Sequence, residues 1–309
     1  MMRSSEGEYY VEDLSPTQRR CLKLAGRLYS ESSEFQRIEV VETYDYGRAL
    51  ILDGAIQTTE RDTFIYHEIL AHPPLLMQDA PAEVLVIGGG DGGILVELLK
   101  HRSVKRVVVV EVDGMVVDVA RKYLRGICGD AWDDPRTELR VADGRKYVEG
   151  SRESFDAIIL DLTDPIGPSK YLYTREAYRH LSERLADKGV VAMHAGGWFH
   201  HPKVVGSAIA TLRSVFRHVA VFPAHVPSYG MEIAFAYASP NLEVESYPGE
   251  WFAKRYSALS ESAEINYVTG DFIERIGFRP MLMEESLRES SRVSTDDEPL
   301  EFTDYYKWG

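Results

Sequence analysis

Between a short apolar run, EVLVI, and a segment with helical spacing, ILVELLKH, stand six residues, five of them glycine: Gly88-Gly89-Gly90-Asp91-Gly92-Gly93. Glycines at the end of a strand permit a tight turn and let backbone approach a ligand closely. A plain strand-to-helix turn uses the same residues, so the neighbours must decide what the loop is for.

Downstream of the loop, continuous apolar runs alternate with helical patterns. KRVVVVEVD reads as a strand, MVVDVARKYL as a helix, and TELRVAD and FDAIILD as strands. EAYRHLSERLAD is a helix, GVVAMH a strand, PKVVGSAIATLRSVF a helix and EIAFAYAS a strand. This alternation predicts an α/β fold with a doubly wound, mostly parallel sheet and a ligand site at the carboxyl ends of its strands. Upstream, from residue 8 to about 75, apolar and polar residues alternate around Tyr46-Gly47 and Asp53-Gly54. That pattern predicts short antiparallel strands. The expected division is a small N-terminal antiparallel β domain, 1–75, and a catalytic domain, 76–309. The last fifteen residues have no readable pattern.

Acids mark the ends of the predicted strands. Glu111 follows Asp91 by about twenty residues, the spacing at which an acid accepts hydrogen bonds from ribose hydroxyls. Asp143, in Ala142-Asp143-Gly144, ends the next strand and can accept from an adenine amino group. Buried carboxylates cost stability unless paired, so acids at successive strand ends point to an adenosyl-type ligand. The loop alone also admits a dinucleotide. Asp91 narrows the choice: an acid in the glycine loop favours a ligand that carries an ammonium without a carboxylate. Asp is equally a preferred helix cap, and the two roles are compatible.

The fourth predicted strand runs into Asp161-Leu162-Thr163-Asp164-Pro165, where Pro165 holds Asp164 in an extended or turn conformation. Two carboxylates there can hold one ammonium and take a proton from a reacting amine. Either acid alone is an ordinary turn residue.

With these residues in hand, the chain resembles the spermidine synthase family of polyamine aminopropyltransferases. The segments that carry the resemblance are DGAIQTTERDTFIYHE, VLVIGGGDGG, EVD, ADGR, DLTDPIGPSKYLYT and VPSYGMEIAF. They lie in the family's order from about residue 35 to 238. The resemblance implies a Rossmann-like catalytic domain behind a small N-terminal β domain, in dimers or tetramers. It implies that Gln36, Gln57, Gly88, Gly90, Asp91, Glu111, Asp143 and Gly144 hold decarboxylated S-adenosylmethionine as co-substrate. Tyr66, His67, Asp161, Asp164 and Tyr229 would form the acceptor-amine pocket, with Asp164 as general base. No metal or resident cofactor is implied. Two departures fall at the far end of the acceptor. His194, followed by Ala195-Gly196-Gly197-Trp198, stands where relatives often carry glutamine, and the segment around Tyr229 is one residue shorter than in some of them.

The implied reaction moves an aminopropyl group to an acceptor amine (putrescine, agmatine or spermidine) and releases 5′-methylthioadenosine. Rival readings are a methyltransferase using intact S-adenosylmethionine, a nicotinamide dehydrogenase and a non-catalytic polyamine-binding protein. Asp91 with the Asp161/Asp164 pair argues against the first, and the last predicts the loss of a catalytic acid, whereas every one is present. The formal net charge of -14 opposes nucleic acid as a partner and is compatible with a cationic substrate, although on charge alone acidity more often serves solubility. The acidic N-terminus lacks the apolar core of a signal peptide, and no stretch approaches the ~20 apolar residues of a membrane span, so a cytoplasmic enzyme is expected. Cys21 and Cys128 make no disulfide framework. His200-His201 lacks a second ligand pair and is not read as a metal site. His72, beside Pro73-Pro74, reads as structural, and EESLRESSR as a solvated face.

Overall fold

The computed structural model describes residues 2–4, 7–15, 18–289 and 292–301. The chain begins with an antiparallel sheet of six strands in sequence order: β1 (Met2–Ser4), β2 (Gly7–Ser15), β3 (Gln18–Ser32), β4 (Arg37–Thr43), β5 (Gly47–Leu52) and β6 (Ala55–Thr59). Its tight turns fall at Gly47 and at Asp53-Gly54, where all three residues have positive φ. One face of β4 and β5 supplies Ile38, Val40, Leu50 and Leu52, which pack on Val116, Val119 and Ala120. The apolar residues of these strands therefore clamp the sheet to the rest of the molecule.

Residues 63–76 differ from the sequence reading of short strands up to about 75. They form α1 (Thr63–Leu76). The helix is buried on nearly every side from Tyr66 onward, so its sequence shows no polar stripe for a 3.6-residue period to reveal. Pro73 and Pro74 sit in its last turn.

The second sheet has seven strands: β7 (Glu83–Gly88), β8 (Arg106–Glu111), β9 (Thr137–Val141), β10 (Phe155–Asp161), β11 (Leu185–Gly197), β12 (His218–Val226) and β13 (Met231–Ser239). Their order is β12-β13-β11-β10-β7-β8-β9. The strands β7 to β11 are mutually parallel, and β13 and β12 extend the sheet antiparallel. The continuous Val, Ile and Leu runs of β7, β8 and β10 are buried on both faces, as a parallel sheet covered by helices requires. The helices are α2 (Gly93–Leu99), α3 (Gly114–Tyr123), α4 (Arg125–Cys128), α5 (Gly144–Gly150), α6 (Arg175–Arg184), α7 (Pro202–Arg213), α8 (Gly249–Ser260) and α9 (Met281–Glu289). The helix expected over EAYRHLSERLAD ends at Arg184, and Leu185 already belongs to β11. The strand order reverses beside β7, whose neighbours are β8 and β10, and such a switch point opens a crevice at the strands' carboxyl ends. The final fifteen residues fall partly outside the described ones; those described, 295–301, return to α6, where the Asp296 N–H donates to Glu176 Oε2 at 3.0 Å. Among the described residues, no helix is long and apolar enough to cross a membrane.

Candidate active site

At the switch point Gly88 ends β7 and pairs in register with Asp161, which ends β10. The Gly89 N–H donates to the Asp161 carbonyl at 2.9 Å and so ties the glycine turn to the acidic loop. The turn delivers Asp91, whose Oδ1 accepts from the Gly93 N–H at 2.6 Å in the first turn of α2. Asp91 thus does serve the helix start, although the residue at the cap itself is Gly92.

Three of the named groups converge. His67 Nε2, on α1, lies 3.7 Å from Asp91 Oδ1 and 3.7 Å from Asp161 Oδ2. On its other edge, Nδ1 is 2.9 Å from Thr63 Oγ1, one helical turn back. Burial alone would push the imidazole's pKa down, but the Asp91 and Asp161 carboxylates overcome it and push the value up to about 9. The two acids thus favour the charged imidazolium over the neutral ring. Burial, reinforced by the Asp161 charge, raises the Asp91 pKa against the pull of His67. Asp161 Oδ2 is buried and makes no hydrogen bond among the described residues.

An aromatic wall stands beside this triad. The Tyr66 ring meets His67, His194 and Tyr229 edge-on, with centroids 5.2, 5.8 and 6.0 Å apart. The Tyr229 hydroxyl donates to the Gln57 carbonyl, so the wall is pinned to the N-terminal sheet. Burial drives the Tyr66 and Tyr229 pKa values well above the ordinary range, which keeps both as neutral hydroxyls. Asp164 lies in the loop after β10. Burial raises its pKa, opposed by the His194 charge. His194 Nε2 is 2.7 Å from the Leu162 carbonyl, and a Cβ on Gly196 would stand 3.6 Å from Asp164 Oδ1. The segment His194 to Trp198 thus borders Asp164 directly. Trp198 is buried and donates to Glu232 at 3.2 Å.

The second half of the candidate site lies along β8 and β9. Glu111, 8% exposed, accepts from the Asp113 N–H at 2.9 Å. Burial pushes its carboxyl up to about 7 despite that bond. Gly90 faces it so closely that a Cβ there would lie 2.9 Å from Glu111 Oε2. Gln36 donates to Asp113 Oδ2 at 3.0 Å, bringing the N-terminal sheet to the same strand end. The Gln57 side chain bonds its own neighbourhood, donating to Ala55 O at 3.1 Å. Gly144 packs on Ile87 of β7. Asp143 is exposed, and its carboxylate accepts from the Lys146 N–H at 3.1 Å as the cap of α5. The cost of burying an unpaired acid, one ground for reading a ligand at this position, does not apply to Asp143.

Reading the sequence missed Thr63 behind His67, Asp113 beneath Gln36, and Tyr173, whose buried hydroxyl donates to the Thr163 carbonyl at 3.0 Å. The four-residue step from Thr63 to His67 would have revealed the first, had the helix been recognised. Among the described residues, two groups of three or more His, Cys, Asp or Glu have converging ligand atoms: His67 with Asp91 and Asp161, and Glu68 with His72 and Glu97. His200 and His201 belong to neither. In the second group Glu68 accepts the N–H groups of Asn266, Tyr267 and Val268 at 2.7–2.9 Å, and Lys100 donates to Glu97 at 2.6 Å. That cluster already binds the chain to itself.

A glycine turn at a switch point, with acids gathered around it, defines a Rossmann-like α/β enzyme. The chain belongs to the spermine/spermidine synthase family: the spermine/spermidine synthase domain matches residues 63–248 and the spermidine synthase tetramerisation domain residues 9–60. It is 38% identical over 267 residues to polyamine aminopropyltransferase 2 of Pseudomonas aeruginosa, covering 85% of this chain and 76% of that one. It is 41% identical over 203 residues to a polyamine aminopropyltransferase of Bacillus cytotoxicus, covering 65% and 73%. The crystal structure of a spermidine synthase in complex with the transition-state analogue AdoDATO superposes with a TM-score of 0.86 at 32% identity, over 94% of this chain and 98% of that one. The Thermotoga maritima spermidine synthase gives 0.84 at 32%, over 94% and 97%. The protein is thus a transferase of this family, as the resemblance implied, and the fold is the expected one.

Proposed function

We propose that the protein moves the aminopropyl group of decarboxylated S-adenosylmethionine to an acceptor amine and releases 5′-methylthioadenosine. One observation carries this reading: two carboxylates, Asp91 and Asp161, converge on one buried side chain, with His67 Nε2 3.7 Å from an oxygen of each, at the strand ends where the adenosyl ligand belongs. Carboxylates that already need a counter-charge in the free protein suit two ammonium ligands and repel the carboxylate of intact S-adenosylmethionine. The relatives named polyamine aminopropyltransferase and the AdoDATO complex support the same assignment.

The adenosyl group lies along Glu111, Asp143, Gly88, Gly90 and Gly144, with Glu111 taking the ribose hydroxyls and Gln36 and Gln57 closing the site from the N-terminal sheet. Asp91 faces the aminopropyl ammonium. The acceptor lies among Tyr66, His67, Asp161, Asp164 and Tyr229. Its reacting nitrogen gives a proton to Asp164 and then attacks the methylene beside the sulfonium. As the new C–N bond forms, the C–S bond breaks and its electron pair returns to sulfur as a thioether. The raised pKa of Asp164 makes it a better proton acceptor than an exposed carboxylate. Putrescine, agmatine and spermidine are the acceptors to try first. The match to a tetramerisation domain supports a homodimer or homotetramer. The test is release of methylthioadenosine from decarboxylated S-adenosylmethionine with each amine. If neither these nor any other primary amine supports release while intact S-adenosylmethionine donates methyl groups, the reading is wrong.

A further inference from the structure

Each carbonyl of the loop that carries the candidate base has its own donor. The Gly89 N–H bonds the Asp161 carbonyl at 2.9 Å, and His194 Nε2 lies 2.7 Å from that of Leu162. Both of these anchors belong to the strand ends of the sheet. The next two do not. The buried Tyr173 hydroxyl donates to the Thr163 carbonyl at 3.0 Å. The Ser169 hydroxyl stands 2.8 Å from the Asp164 carbonyl, which also takes the local Ile166 N–H at 2.7 Å. Ser169 and Tyr173 lie on one short 3₁₀ segment, Gly167–Tyr173, so the place of Asp164 depends on where that segment sits.

Two distant parts of the chain hold the segment. Arg145 follows Gly144, which packs so closely on β7 that a Cβ there would lie 2.4 Å from Ile87 Cγ2. Its Nε donates to Glu149 on the same helix, and Nη1 donates to the Tyr171 carbonyl and to Thr174 Oγ1, both at 3.0 Å. The guanidinium also meets Asp296 as a fork, Nη1 to Oδ1 at 3.2 Å and Nη2 to Oδ2 at 2.8 Å. The Thr174 hydroxyl donates to Asp296 Oδ1 at 2.7 Å. Asp296 hangs from anchored backbone: Ser294 accepts from the Arg175 N–H at 2.8 Å and donates its own N–H to Thr211 Oγ1 at 2.9 Å. Lys170, in the middle of the segment, binds Glu301 of the same tail. Arg145 is only 14% exposed, and a two-edged guanidinium–carboxylate pair fixes direction as well as distance.

We propose that Arg145 and Asp296 are positioning residues for the transfer reaction: the pair seats the 167–173 segment and, through Ser169 and Tyr173, sets where Asp164 stands. This rests on the aminopropyl-transfer reading. It adds to that reading a tail beyond residue 248, where the match to the synthase domain ends. The test is Asp296→Ala, assayed by methylthioadenosine release with an amine that the wild type uses. Its kcat is expected to fall about tenfold, because misplacing a group by about 1 Å can cost about 10²-fold, while methylthioadenosine affinity by calorimetry stays within about twofold. Arg145→Met should lose at least as much, and the double variant no more than Arg145→Met alone, since the two side chains act as a unit. An unchanged kcat in Asp296→Ala overturns the inference. So does a fall in kcat matched by an equal loss of methylthioadenosine affinity, which marks general loosening, and so do additive losses in the double variant. If Asp296→Ala does not fold, Asp296→Asn keeps the side chain's size without the charged fork and is judged by the same results. An undiminished variant beside an active wild type defeats only this inference; no wild-type release with any amine defeats the transfer reading as well.

Discussion

A Cβ on Gly88 would lie 2.1 Å from the carbonyl oxygen of Asp161, its register partner across β7 and β10. Gly88 also has φ of +84°, where L side chains are strained. The contact cannot relax by moving a side chain, because the obstacle is backbone at the centre of a parallel sheet. Gly88→Ala is expected to cost about 3 kcal/mol or more, adding left-handed strain to overpacking. In thermal unfolding the midpoint should drop by about 5 °C or more. A midpoint within one degree of wild type would mean the turn is far more plastic than its geometry indicates.

Asp164→Asn removes a proton acceptor while keeping the side chain's size. A protonated amine has no lone pair to attack with, so kcat should fall by about 10²–10⁴-fold, the range for losing a general base. Raising the pH supplies free amine from solution, and the deficit should narrow between pH 7 and 10. Retention of more than a third of wild-type kcat at pH 7 would remove Asp164 from that role.

Glu111, proposed to take the ribose hydroxyls, is expected to set the pH dependence of nucleoside binding. Its carboxyl titrates near 7 in the free protein because it is buried. Ribose hydroxyls donate to the carboxylate form, so binding stabilises that form and must drive off a proton wherever Glu111 starts protonated. Methylthioadenosine should bind more tightly at pH 8 than at pH 6, with proton release at pH 6 seen by calorimetry in buffers of different ionisation heat. Glu111→Gln should bind weakly at both values with no proton release. Equal wild-type affinity at the two pH values would contradict this.

The parts of this site that could be read from sequence are those fixed by backbone chemistry close along the chain. The apolar run before Gly88 and the glycines themselves specify a strand, a turn and a helix, and they place Asp91 at a strand end. Asp161 and Asp164 were legible for the same reason, since Pro165 shapes their loop. Residues whose meaning depends on distant partners were not. Buried nearly all round, α1 carries no amphipathic signal, so His67 lies in a stretch that reads as strands and its approach to Asp91 and Asp161 is not visible in the sequence. Asp143 ends its strand as expected, yet whether it is buried depends on how far β9 sits toward the sheet edge.

The His67 imidazolium also makes stability depend on pH in a direction opposite to that of a salt-bridged carboxylate. Its pKa rises from an ordinary value near 6.5 to about 9 on folding. The folded state therefore binds the proton more tightly, and the gain is fully present below about pH 6.5 and lost as pH rises through 9. Above that, Asp91 and Asp161 face each other without a cation. The thermal midpoint of the wild type should decline steadily from pH 7 to 9.5. In His67→Gln, which has no proton to lose in this window, the decline should be shallower and the midpoint at pH 7 lower. An ammonium seated between the same carboxylates replaces the imidazolium's charge, so a saturating amine acceptor should flatten the wild-type curve as well. Parallel curves for wild type and variant from pH 7 to 9.5 would show that His67 is neutral in the folded protein and that the cation between the two acids is not its own.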